Sequence, residues 1–333
     1  MPDSPKPAGP AGNALVLGGS GWVGRHVCAA LARRGYTVLA VARNPPAAAG
    51  GPAFRSLDLA AASTGALARF LADTRADVVV NATDAANATD GWDRTDEELQ
   101  VANVRLPGRL VEAMAAQPRR PCLVHFGTIH EYGPVEAGTS VSETAVPRPV
   151  NAYARTRLAG SLTVLDAARS GIVDAVVLRL VNVLGPGPSP ASFPGKLLEL
   201  LREAADRGAA GLTVADARRD WLDVRDAAAA VPLAVRPGPG VNGEAFNLGS
   251  GTAVHTRDLV ALARTAAGLP PHALTEREST VPGLGGDWIR ADIRRAAERL
   301  GWAPRIGLAR SMEDMWEAAV PAPGGAPSAG QPG

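Results

Sequence analysis

From residue 14 onward, short apolar runs alternate with segments of helical length, and this alternation limits the fold more than any other feature. Ala14–Leu17 (ALVL), Thr37–Val41 (TVLAV), Asp77–Val80 (DVVV), Cys122–Phe126 (CLVHF) and Asp174–Val181 (DAVVLRLV) predict strands. None alternates apolar with polar positions, so each fits a strand covered on both faces. Trp22–Arg34, Ala62–Asp73, Asp96–Ala116 and Tyr153–Arg169 predict the helices between them. Strand and helix repeated in this order imply an α/β fold, a Rossmann-type doubly wound parallel sheet. After about residue 185 the pattern loosens, with helices near Lys196–Arg207 and Thr256–Ala267. That region is predicted as a smaller, mostly helical C-terminal substrate lobe, with Phe246–Leu248 returning to the main sheet.

The expected division is a nucleotide-binding domain over 13–185 and a substrate lobe over 186–318, flanked by tails 1–12 and 319–333. Glycine (37) and proline (28) crowd both tails, which offer too little apolar surface to offset the entropy of ordering and so are predicted disordered. The stretches Pro45–Pro52 and Gly185–Pro190 read as loops. Lys plus Arg (34) nearly balances Asp plus Glu (33), with both signs spread along the chain. This excludes a dedicated nucleic-acid surface and a polybasic membrane binder. Cys28 and Cys122 are too few for a disulfide framework or a cysteine zinc site, and no metal is expected. No secretory signal and no apolar stretch of membrane-spanning length is seen, so a cytoplasmic location is expected.

The first strand runs into Gly18-Gly19-Ser20-Gly21-Trp22-Val23-Gly24 and then a helix. Glycines at 18, 21 and 24 suit a tight turn, the approach of a pyrophosphate to backbone N–H groups, and close helix-to-strand packing. A three-glycine pattern alone is weak evidence; its place at the first strand-to-helix turn marks a nucleotide site, with Gly18, Ser20, Gly21, Trp22 and Gly24 as candidate contacts. Trp22 could equally bury against the sheet. In a dinucleotide fold the second strand usually ends in an acid that holds the adenosine ribose. Here it ends Val41-Ala42-Arg43-Asn44. A guanidinium can fork onto a 2′-phosphate that a carboxylate would repel, so Arg43 predicts NADP(H) rather than NAD(H). Asp58, in Ser56-Leu57-Asp58-Leu59 at the end of a predicted third strand, is a candidate adenine contact or a helix N-cap. Asn81, ending the fourth, lies near the nicotinamide path or serves as a side-chain cap.

Strand CLVHF leads into Gly127-Thr128-Ile129-His130-Glu131-Tyr132-Gly133-Pro134, and Tyr153-Ala154-Arg155-Thr156-Arg157 opens a later helix. Tyr153 and Arg157 share one helix face, with Arg155 pointing elsewhere. A tyrosine above a cation, with a strand-end hydroxyl nearby, can transfer a proton to a carbonyl beside a nicotinamide. At these residues the chain resembles the extended short-chain dehydrogenase/reductases, which include nucleotide-sugar epimerases, dehydratases and ketoreductases. The resemblance spans about residues 13–318. Thr128 matches the family's catalytic Ser/Thr and Tyr153 its tyrosine, 25 residues on. Asn103 lies where these proteins place a structural helix asparagine. The run from Leu178 to Gly187 is similar to their LRxxNxxGPG segment, which makes Asn182 a candidate substrate contact. Arg218–Asp226 is similar to their RDxxxVxD segment, implying that Arg219 meets nucleotide phosphates. Phe246–Gly251 and Leu300-Gly301-Trp302 match later signatures.

One position departs from the pattern. The family's lysine, which grips the nicotinamide ribose and makes the phenol more acidic, is Arg157 here. A unit charge about 4–5 Å from a phenolate contributes on the order of 4 kcal/mol at an effective dielectric near 20. Arginine supplies the same charge but does not deprotonate and needs more room. The Asp-Glu pair of the 4,6-dehydratases is replaced by Ile129 and His130, which argues against elimination. The resemblance thus implies NADPH-dependent reduction of a keto group on a nucleotide-activated deoxysugar. Tyr153 is the expected proton donor, Thr128 the carbonyl partner, and Arg157 the ribose and tyrosine partner. His130 and Trp92 are candidate substrate contacts, with local hydrogen bonding and loop cover as the alternatives; His125 is expected to be structural. An epimerase that retains its cofactor, or a catalytically retired NADP-binding protein, are the competing readings. Asp96–Ala116 and Tyr153–Arg169 could form the four-helix homodimer interface that similar proteins use, or pack only on their own sheet.

Overall fold

Alternate residues of each central strand enter different cores. A computed structural model describes residues 11–46, 50–83, 94–235, 240–278 and 286–320. Trp92 and most of both predicted tails lie outside the described residues. Strands β1 (Gly12–Leu17), β2 (Tyr36–Ala42), β3 (Ala53–Ser56), β4 (Val78–Asn81), β5 (Cys122–Thr128) and β6 (Asp174–Leu180) are separated by helices wherever the chain must cross over. These are α1 (Trp22–Arg33), α2 (Thr64–Thr74), α3 (Asp96–Gln100), α4 (Leu106–Ala115) and α5 (Ala152–Arg169), the connection between the parallel neighbours β2 and β3 being the exception with no helix among its described residues. Ala14, Val16, Val78, Val80, Val124 and Phe126 pack on one face against Val27 and Leu31 of α1. Leu15, Leu17, Val79 and Leu123 pack on the other against α2, α4 and α5. The strands are thus apolar throughout because neither face meets water.

The main sheet has seven strands in the order β10-β6-β5-β4-β1-β2-β3. Every pairing in it is parallel. Strand order reverses at β1, which opens a crevice outside the C-terminal ends of β1 and β4, the usual ligand position in such sheets. The helix expected over Asp96–Ala116 is realised as α3 and α4 joined by a π-helical turn, Val101–Arg105. On that turn Asn103 is buried and donates through Nδ2 to Thr156 Oγ1 of α5 at 3.1 Å.

The later chain contains β7 (Asn182–Leu184), α6 (Phe193–Arg207), β8 (Ala210–Val214), β9 (Arg218–Asp223), α7 (Val224–Ala234) and β10 (Ala245–Leu248). It continues through β11 (Ala253–His255), α8 (Thr256–Ala266), β12 (Leu274–Glu278), α9 (Arg294–Leu300) and α10 (Leu308–Glu317). Strand β10 pairs with β6, and α7 packs on α1, so part of this chain completes the main sheet and its cover. The remainder has its own core, formed by Leu197 and Leu201 of α6, Leu259 of α8, and Met312 and Met315 of α10. Two small sheets, β11-β9-β7 and β12-β8, accompany these helices. Strands β7 and β11, three residues each, carry too few residues to show a period in the sequence. No helix among the described residues is long and apolar enough to cross a membrane.

Candidate active site

The turn after β1 is shaped by backbone contacts. Gly18 has φ +78°, and a Cβ there would lie 2.7 Å from Ala82 O, just past β4. Its N–H and that of Gly19 donate to Val41 O at the end of β2, at 2.8 and 3.2 Å. A Cβ on Gly24 would lie 2.0 Å from Gly18 O, so α1 can meet the turn this closely only without a side chain there. Gly21 is the N-cap of α1, with no side-chain cap and no acid in the first turn. The helix therefore begins with unsatisfied N–H groups and the positive end of its dipole, a cradle that fits a dinucleotide pyrophosphate. Ser20 is half-buried in this turn.

Arg43 follows β2, exposed; its carbonyl accepts from Ser56 Oγ at 2.7 Å, and among the described residues its guanidinium has no ion pair or hydrogen bond. It is free to meet a phosphate. Asp58 Oδ1 accepts from the Ala60 and Ala61 amides at 3.0 and 3.4 Å, capping a turn. The N-cap of α2 is instead Ser63. Trp22 neither buries against the sheet nor remains free beside the crevice. Its indole N–H donates to Pro186 O at 3.1 Å, and His26 Nε2 lies 3.2 Å from the same oxygen. Arg25 donates to the carbonyls of Pro186 and Gly187.

A polar web closes the C-terminal ends of β4 and β5. Asn81 is buried; its Oδ1 accepts from Thr83 N and Oγ1 at 3.2 and 2.6 Å, and its Nδ2 lies 3.1 Å from His125 Nδ1. Its side chain is thus a cap, leaving only nearby backbone for a ligand. His125 is fully buried, and that burial, reinforced by the Arg157 charge, pushes its pKa down to about 3. Arg157, only 4% exposed, donates to Thr83 O at 3.3 Å and to Phe126 O. The carbonyls fix the guanidinium between the ends of β4 and β5.

Tyr153 stands in the first turn of α5, buried to 7% exposure against Leu99. The helix starts there because Asn151 caps it, accepting from Ala154 N at 2.8 Å. Tyr153, Arg157 and Ser161 recur every four residues and share a face, whereas Arg155 turns back to Val150 O. Thr128 is buried and N-caps a 3₁₀ turn, Ile129–Tyr132, its Oγ1 accepting from His130 N at 3.4 Å.

Behind Thr128 lies a network that sequence reasoning missed. Glu131, completely buried, accepts from Thr128 N (3.0 Å), Ser161 Oγ (2.8 Å) and Arg179 Nε (2.7 Å). Arg179 also donates to Tyr132 Oη at 2.7 Å, and its guanidinium lies 4.6 Å from the centre of that ring. Tyr132 in turn donates to Asn247 Oδ1 at 2.9 Å. The available signal was a charge inside DAVVLRLV: an arginine in a strand covered on both faces requires a buried counter-charge.

On the lobe side, His130 lies beside a shallow cleft lined also by Val141, Trp288 and Arg290. Burial, aided by the Arg219 charge, pushes its pKa down to about 4. Arg219 is itself buried, donates to Gly286 O at 2.8 Å, and has its pKa lowered by that burial. The fold thus brings His130 and Arg219 together. Asn182 contributes to structure, its Nδ2 reaching Asp220 O at 3.4 Å and tying β7 to β9.

The crevice, the glycine cradle and the helix face that carries Tyr153 and Arg157 fit a nucleotide-binding enzyme of the doubly wound α/β class. The NAD dependent epimerase/dehydratase family model matches residues 14–249, and the chain belongs to that family. It is 36% identical over 313 residues to dTDP-6-deoxy-L-talose 4-dehydrogenase (NAD(P)(+)) of Kitasatospora kifunensis, covering 92% of this chain and 96% of that protein. It is 30% identical to UDP-glucose 4-epimerase of Streptomyces lividans, over 62% of this chain and 65% of that protein. A solved structure described as "MoeE5 in complex with UDP-glucuronic acid and NAD" superposes with a TM-score of 0.79 at 26% identity, covering 92% of this chain and 99% of the other. These relatives include a dehydrogenase and an epimerase, and the first accepts either nicotinamide dinucleotide by name.

Proposed function

We propose that this protein interconverts a keto and a hydroxyl group on a nucleotide-linked deoxysugar, as an NADPH-dependent ketoreductase whose proton donor is Tyr153. The observation that carries the reading is the buried Arg157 guanidinium, fixed by Thr83 O and Phe126 O on the same helix face as Tyr153. A cation there favours the phenolate that remains once Tyr153 has given up its proton. Bound NADPH would supply the hydride to the carbonyl carbon. Tyr153 Oη gives its proton to the carbonyl oxygen and is reprotonated from solvent, while Thr128 Oγ1 donates a hydrogen bond to that oxygen. Arg157 also holds the nicotinamide ribose, Gly18, Ser20, Gly21 and Gly24 cradle the pyrophosphate, and Arg43 reads the 2′-phosphate. Arg219 meets the sugar's nucleotide phosphates and His130 its ring. Oxidation of a 6-deoxyhexose, which the name of the Kitasatospora relative describes, is this reaction reversed.

The test uses dTDP-6-deoxy-L-talose with NADP⁺, following nicotinamide absorbance. Tyr153→Phe should lower the rate by roughly 10²–10⁴-fold with NADPH affinity retained; a rate within about threefold of the unmodified protein would overturn the assignment. Arg43→Ala should weaken NADPH by about tenfold or more, the loss of a charge-assisted phosphate contact, and leave NADH nearly unchanged. Equal NADPH and NADH affinities in the unmodified protein would remove the NADP preference. A homodimer packed through α4 and α5, where Leu162 stays 40% exposed, belongs to the same reading, and sedimentation checks it.

A further inference from the structure

The proton-transfer groups stand on different elements: Thr128 ends β5, and Tyr153 and Arg157 project from α5. Arg157 itself ties α5 to Phe126 O of β5, but that link leaves the Thr128 end of the strand to be placed. Glu131 supplies a second tie between the two elements, at Thr128 itself. Its Oε1 accepts from the Thr128 amide at 3.0 Å and from Ser161 Oγ at 2.8 Å. Ser161 is one helical turn beyond Arg157 and two beyond Tyr153. The other oxygen, Oε2, takes Arg179 Nε of β6 at 2.7 Å. Arg179 is then held by Tyr132, which donates to Asn247 of β10. Asn247 is in turn fixed from two sides, with Nδ2 donating to Val141 O at 3.0 Å and N donating to Glu143 Oε1 at 2.8 Å.

We propose that Glu131 is a positioning residue: its carboxylate bolts the Thr128 amide to the α5 face that carries Tyr153 and Arg157, setting the hydroxyl-to-phenol spacing. Neutralising Arg179 alone would need only one carboxylate oxygen. A buried ion pair is, moreover, seldom more stable than apolar residues of the same volume, so stability alone gives weak reason for a charge here. The second oxygen, shared between the strand-end amide and the helix hydroxyl, is what assigns the positioning role. The Glu131 and Ser161 side chains themselves touch no reacting atom.

The kinetic side of this inference rests on the proposed reaction; the geometric side does not. Ser161→Ala is the leading variant, because it cuts the tie to α5 without stranding Arg179. Glu131→Gln is the second. Expected for Ser161→Ala is a kcat about tenfold lower with KM within about twofold, since small misplacement acts on the chemical step. In a Thr128→Val background the same change should lower kcat by less than about twofold, because Glu131 acts through Thr128. Amide hydrogen exchange at residues 128–130 should quicken about tenfold or more in both variants, with β1 and β4 amides unmoved. Unchanged exchange at 128–130, or an equal rise throughout the chain, would overturn the inference whatever the enzyme acts on. So would an undiminished kcat, or a full multiplicative loss in the Thr128→Val background. If the unmodified protein oxidises no sugar, the proposed function fails, and the exchange result alone judges Glu131.

Discussion

Acid should unfold this protein partly through one imidazole beneath the candidate nicotinamide site. His125 is 1% exposed, and its Nε2 has no hydrogen-bond partner among the described residues. Burial, with Arg157 adding to it, moves its pKa from 6.5 to about 3. Because the folded value lies below the unfolded one, the unfolded chain binds more protons between them. Stability is therefore full above about pH 6.5 and is lost as the pH falls toward 3. At pH 5 the unfolded imidazole is about 1.5 pH units below its pKa while the folded one is still neutral, which costs about 2 kcal/mol relative to neutral pH. His130, at about 4 by the same cause, acts in the same direction. Glu143 and Asp220, raised by burial, act in the opposite direction. The whole-protein curve thus mixes signs, and the measurement must isolate one group. His125→Asn keeps an acceptor for Asn81 and removes the titration. Urea unfolding of both proteins at about pH 7.5 and 5 should show the unmodified chain losing about 2 kcal/mol more than the variant. Parallel losses, within about 0.5 kcal/mol, would refute the account of a neutral, desolvated His125.

Gly24→Ala should force α1 away from the turn, since the new Cβ would lie 2.0 Å from Gly18 O. The expected loss is about 1–3 kcal/mol or more, with weaker NADPH binding; an unchanged melting temperature and affinity would contradict the close-contact argument. Asp220 accepts from Ser250 N and Oγ through Oδ1 and from Gly251 N and Ala291 N through Oδ2. In Asp220→Asn the new NH₂ is best placed toward Ser250, whose hydroxyl can turn to accept, which leaves the Ser250 amide unpaired at roughly 1–3 kcal/mol. Denaturant unfolding checks this, and a loss below about 1 kcal/mol would show that the loop rearranges freely.

The central sheet was legible because strands packed on both faces leave long apolar runs that no exposed segment imitates. The three valines of DVVV open β4, which runs on to Asn81, and CLVHF becomes the start of β5. Two strands of the small sheets, Asn182–Leu184 and Ala253–His255, were not legible, because three residues cannot show a period. At the site, local patterns spoke for the glycine cradle and for the shared face of Tyr153 and Arg157. Side-chain commitments across distance did not show. Asn81 and Asn182 carry no local sign of their partners, and Trp22 could not be assigned until Pro186 came beside it. Glu131 and Arg179 are 48 residues apart, and only the fold makes them a pair.

The grip of α1 on Pro186 has a mechanical result. Trp22, Arg25 and His26 all reach one carbonyl on the segment that leaves the large sheet for the smaller lobe. A hinge at that segment would have to break all of these links together. The glycine turn that starts this helix and the exit toward the smaller lobe are thereby locked to each other.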